Sequence, residues 1–128
     1  MRAASAYKRV SDSTSVMAAD PIGLIVLLYE KLLQRLREAA LAIDSGDFSA
    51  RGRATSSAIE IISSGLIGAL DLERGGELAL RLKEQYQLWL RMLLQVNLQG
   101  DKNLLAVLES NVAEVLSAWQ ELKASKTG

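Results

Sequence analysis

Residues 20–36, DPIGLIVLLYEKLLQRL, constrain this chain more than any other stretch. Asp20 can cap free backbone N–H groups, and Pro21, the only proline, suits the first helical position. The segment therefore reads as the start of a helix. Placed at 100° per residue from Leu24, its apolar positions cover too much of the circumference. Leu28, Ala39, Leu32, Ile25, Ile43, Leu36, Tyr29, Ile22, Ala40, Leu33 and Val26 sweep an arc of roughly 200°. Glu30, Lys31, Arg35, Arg37 and Glu38 fill most of the remainder. A single neighbouring layer needs a stripe only a little over 100° wide. The helix is expected to pack on two sides. Either it lies deep in a bundle, or one flank is kept for something the chain does not encode.

The other segments have the same character. A helix is expected over 21–43, closed by Asp44-Ser45-Gly46-Asp47, and a second over 48–70, irregular near Gly52. The second carries a bulky stripe, Ile59, Ile62, Leu66 and Leu70. Beside it runs a small-residue stripe, Ala54, Ala58, Gly65 and Ala69, extended by Ser57, Ile61, Ser64 and Gly68. Glycine within a helix costs about 1 kcal/mol relative to alanine. Gly65 and Gly68 therefore imply that another backbone comes close, either inside the bundle or as a guest. A Gly75-Gly76 turn precedes a third helix over 77–98, with core positions Leu78, Ala79, Leu82, Tyr86, Trp89, Leu90, Leu93 and Val96. Leu88 and Met92 lie off that stripe as a small patch. After Gly100-Asp101 a fourth helix over 102–123 shows a one-sided stripe from Leu104 and Leu105 to Trp119 and Leu122. Four helices with short turns predict an all-α, antiparallel up-down four-helix bundle over 20–124, with a flexible leader at 1–19 and a polar tail at 125–128.

Composition narrows function. Fifteen basic and fifteen acidic residues cancel, which argues against a partner recognised by phosphate neutralisation, such as nucleic acid. With neither Cys nor His, no disulfide, thiolate, His-based triad, phosphohistidine or Glu-x-x-His metal site can be built. No cofactor or metal is expected. Carboxylate or lysine catalysis is what remains open to an enzyme, and no clustered candidates or phosphate-binding loop support it. The longest purely apolar run, residues 24–29, is far short of the roughly 20 residues that span a membrane, and no apolar signal core opens the chain.

The leader is polar, but Tyr7, Val10, Val16 and Met17 are spaced along it. It reads equally as a frayed end or as a segment that docks into a groove and leaves again. Surplus apolar and small surface on the first two helices points to a bundle that lays an amphipathic or disordered segment in its grooves.

These residues also carry a resemblance. Asp20-Pro21, Leu24-Ile25 and Leu28-Tyr29-Glu30 are similar to the "P..LI..LYdg" signature of the flagellin-specific export chaperone family, FliS. Ala40, Ile43, Ile62, Leu66 and Leu70-Asp71 follow in the family's order, as do Gly75-Gly76-Glu77-Leu78-Ala79. Leu82 with Tyr86 matches "L..LY", and Trp119 matches the tryptophan near the C-terminus. Lys31, Gln85, Gly52 and Gly65 depart from the pattern. The resemblance implies a cytoplasmic, non-catalytic chaperone that binds the disordered C-terminal segment of flagellin, prevents its polymerisation and delivers it to the flagellar type III export gate. Its leader would cover part of that site, a role that falls here to Tyr7, Val10 and Val16. The expected groove comprises Ile22, Ile25, Val26, Tyr29 and Leu33 on the first helix, Ala58, Ile61, Gly65 and Gly68 on the second, and Leu88 and Met92 on the third. Ile25 and Tyr29 read equally as core. An adaptor for another partner and a self-associating structural protein remain as alternatives.

Overall fold

The computed structural model describes residues 20–127. Helix α1 spans Pro21–Ser45 and α2 spans Phe48–Glu60, continuing directly into a π-helical segment, Ile61–Ile67. Helix α3 spans Leu72–Gln99 and α4 spans Lys102–Thr127. Short connections make consecutive helices antiparallel, and the result is the expected four-helix bundle. Helix α1 packs against α2 and α4, and α3 packs against the same two.

Each of these four helices opens on an aspartate. Asp20 accepts from Ile22 N at 3.1 Å, and Asp47 from Ala50 N at 3.0 Å. Asp71 accepts from Arg74 N at 3.0 Å, and Asp101 from Leu104 N at 3.0 Å. Each carboxylate satisfies one of the amides that a helix start leaves without an intrahelical acceptor. Gly46 and Gly100 close α1 and α3 in the left-handed conformation, so loop length and direction are written locally.

The wide apolar arc of α1 is consumed inside the bundle. Leu24, Val26, Leu28, Tyr29, Leu32, Leu33, Leu36 and Ala39 are all buried. Of the two readings of this helix, depth in the bundle is the one observed, with Ile22, Ile25, Ala40 and Ile43 of the arc half-buried at its margin.

Three expectations need correction. The irregularity in α2 lies at Ile61–Ile67, and Gly52 sits in regular helix. In an α-helix each four-residue step drifts by about 40° around the axis. The wider π turn removes most of that drift and keeps Ala54, Ala58, Ile62 and Leu66 on one core-facing line, all buried. Second, α3 begins at Leu72, with Gly76 breaking it internally at φ 55°, ψ −134°. That kink turns Leu78 outward, leaving it 65% exposed although the periodicity placed it in the core. Third, α4 runs to Thr127, so what reads as a tail is its last turn.

Candidate partner-binding surface

The centre of the bundle is an aromatic cluster contributed by three helices. Tyr29 and Tyr86 exchange a hydrogen bond between their hydroxyls at 2.7 Å. Trp89 meets the Tyr29 ring edge-on at 6.0 Å, and Trp119 lies 6.4 Å from it. A buried hydroxyl left alone is costly, and here each satisfies the other. Burial pushes the Tyr29 phenol above its ordinary value, partly offset by hydrogen bonds with Tyr86 and Trp119. Tyr86 is also pushed up, by burial first and then by the repulsion that a Tyr29 phenolate would exert. This cluster ties α1 to α3 and α4; Tyr29, Tyr86 and Trp89 are buried and Trp119 is half-buried.

The residues expected to line a groove therefore divide. Val26, Tyr29, Leu33, Ala58 and Gly65 lie inside, where the chain's own helices cover them. Gly65 shows why. A Cβ built on it would stand 3.3 Å from Leu28 Cδ2. The close approach that this glycine permits is made by α1, not by a guest. Ile22, Ile25, Ile61 and Met92 are half-buried and pack on the margin of the core. Gly68 and Leu88 are exposed. Tyr7, Val10 and Val16 lie outside the described residues.

The surplus apolar surface sits elsewhere. Among the described residues it is richest on α3, where Leu78, Leu80, Leu88, Leu94 and Leu98 are exposed, Leu98 by 79%. At 100° per residue, Leu80, Leu94 and Leu98 fall within about 40° of one another and opposite Trp89. That spacing is in the sequence. It passes unnoticed because Glu84, Gln87 and Arg91 interleave with the leucines. At the α1–α2 turn, Leu41 and Phe48 are also exposed, with the Arg51 guanidinium 5.0 Å over the Phe48 ring.

One concavity lies along the α1–α2 seam. It is a cleft of about 330 Å³ lined by Arg35, Glu38, Ala50, Arg53, Ala54 and Ser57. Two residues of the small-residue strip that the sequence marks on α2, Ala54 and Ser57, are in its lining. Arg35 is held by Glu38 at 2.8 and 3.0 Å. Arg53 donates to the Ser49 hydroxyl at 2.7 Å. No group of three or more acidic side chains able to hold a metal occurs among the described residues.

Comparison with known proteins assigns this bundle to a family. The family profile described as "Flagellar protein FliS" matches residues 3–126. The chain belongs to the FliS family. "Flagellar secretion chaperone FliS" of Salmonella typhimurium (strain LT2) is 39% identical over 117 residues, covering 91% of this chain and 87% of the relative. "Flagellar secretion chaperone FliSB" of Pseudomonas aeruginosa is 38% identical over 119 residues, covering 93% and 94%. The FliS of Escherichia coli K12, named in the same way, is 32% identical over 116 residues, covering 91% and 85%. The motif order read from the sequence and the full-length match agree. Among the described residues, no FliS helix here is long and apolar enough to cross a membrane.

Proposed function

We propose that this protein is a non-catalytic export chaperone of the bacterial cytosol. It binds the disordered C-terminal segment of flagellin, keeps it from polymerising early and aids its delivery to the type III flagellar export apparatus. The observation that carries the reading is the full-length match to relatives named flagellar secretion chaperones. The distribution of apolar surface supports it. A segment that later packs into a filament must be apolar on one face, and laying it on another apolar surface removes that face from solution. Ordering such a segment costs about 2–5 kcal/mol or more, so the contact must be extensive. Ile22, Ile25, Ile61, Gly68, Leu88 and Met92 are the accessible part of the expected contact set, and the exposed α3 leucines enlarge it.

The test is functional. Purified flagellin monomer seeded to polymerise should be held soluble by one equivalent of this protein. Filament growth unchanged at a fivefold excess would refute the chaperone reading. A second reading, self-association through the outer face of α3, is favoured by Leu80, Leu94 and Leu98 alone. Light scattering decides it, since a concentration-independent dimer would occupy that face.

A further inference from the structure

We propose that the cleft on the α1–α2 seam seats an acidic side chain of the guest segment, read by Arg53, beside a small apolar contact on Ala54 and Ser57. This rests on the chaperone reading above and names a chemistry for part of its contact surface.

Three ionic side chains line the cleft, and two of them, Arg35 and Glu38, neutralise each other through paired hydrogen bonds. The Arg53 guanidinium has a neutral hydroxyl, Ser49 Oγ, as its hydrogen-bond acceptor. The first turn of α2 holds no acid; its capping Asp47 accepts from Ala50 N, and Asp44 is engaged by Lys102. Counted over the side chains that line it, the cleft carries one net positive charge, in a protein whose total charge is zero. A guanidinium offers donors in a planar fork that matches a carboxylate. Ala50, Ala54 and Ser57 in its lining are short, so a guest backbone can come close enough for a short acidic side chain to reach Arg53. A basic guest would meet Arg53 unfavourably, and a purely apolar one would leave the guanidinium without an anionic partner.

The experiment is a calorimetric titration of the full chain, and of its Arg53→Gln, Arg53→Glu and Ser57→Leu variants, with a C-terminal flagellin peptide at low and high salt. Arg53 and Ser57 are not core residues, and unchanged circular dichroism and melting establish that the variants fold. Arg53→Gln should weaken binding about fivefold, the upper range for a partly exposed ion pair. Arg53→Glu should weaken it further and flatten the salt dependence, and Ser57→Leu should weaken it by filling the cleft. If the wild-type chain binds and all three folded variants bind equally well, the cleft is not the seat of the guest and this inference falls alone. If the wild-type chain does not bind the peptide, the chaperone reading fails, and this inference fails with it.

Discussion

Replacing Gly65 by leucine tests who owns the α1–α2 seam. If a guest helix filled the space beside this glycine, a bulky side chain there would leave the bundle intact and damage only binding. The structure predicts otherwise. The first added carbon already stands 3.3 and 3.5 Å from the two Leu28 δ carbons, and Leu28 is itself buried in the core. Three further carbons have no room unless α1 and the π segment separate. Overpacking of this kind costs about 1–3 kcal/mol. For a chain of 128 residues each kcal/mol lowers Tm by about 3–6 °C. Gly65→Leu should therefore melt roughly 3–18 °C below wild type in a thermal circular-dichroism scan. Gly65→Ala adds only the first carbon, and the helix preference of alanine, about 1 kcal/mol, opposes the contact. It should melt close to wild type. A Gly65→Leu variant as stable as wild type would show that Leu28 does not fill this space, and the burial argument for the seam would be wrong.

Three further outcomes follow from the core and the α3 kink. Tyr86→Phe removes one hydroxyl of the buried pair and with it the hydrogen bond to Tyr29 Oη, which should cost about 1–3 kcal/mol in urea unfolding. Both phenols are raised in the folded state, so at ordinary pH each is protonated whether folded or unfolded and costs no stability. Above pH ~10 the unfolded chain loses these protons while the folded one keeps them. Stability should then fall by up to about 2.7 kcal/mol per pH unit for the pair and half that in Tyr86→Phe; equal slopes would contradict the shared burial. Gly76→Ala forces a side chain into the φ 55°, ψ −134° conformation and should destabilise by about 1–3 kcal/mol, whereas Gly52→Ala in open, regular helix should not. Equal melting of those two variants would place the kink elsewhere.

Much of the fold was legible because its signals are local. Aspartate caps, left-handed glycines and the single proline mark the helix ends, and periodicity marks the core faces of α1 and α4. The π segment was not legible, because Ile61-Ile62-Ser63-Ser64-Gly65-Leu66-Ile67 reads as ordinary helix until tertiary packing asks Ile62 and Leu66 to share a line with Ala58. The kink at Gly76 was visible as a turn, but its effect on Leu78 depends on a backbone direction that the sequence does not state. The site was read least well. The sequence counts how much apolar surface a helix has, but not how much of it the neighbouring helices will cover. Helix α1 spends its surplus on two neighbours, whereas α3, with an unremarkable stripe, ends with more bare leucine. Gly65 shows the same ambiguity at one residue. A glycine announces a close approach, and only the fold says that the approaching group is Leu28.

The most direct measurement is a calorimetric titration of the intact chain with a peptide spanning the C-terminal segment of flagellin, repeated at several temperatures. The account predicts a saturable one-to-one complex, with binding enthalpy growing more negative as temperature rises, because apolar surface is buried and a disordered chain is ordered. No saturable heat at any temperature, from a protein that is folded and monomeric, would contradict it.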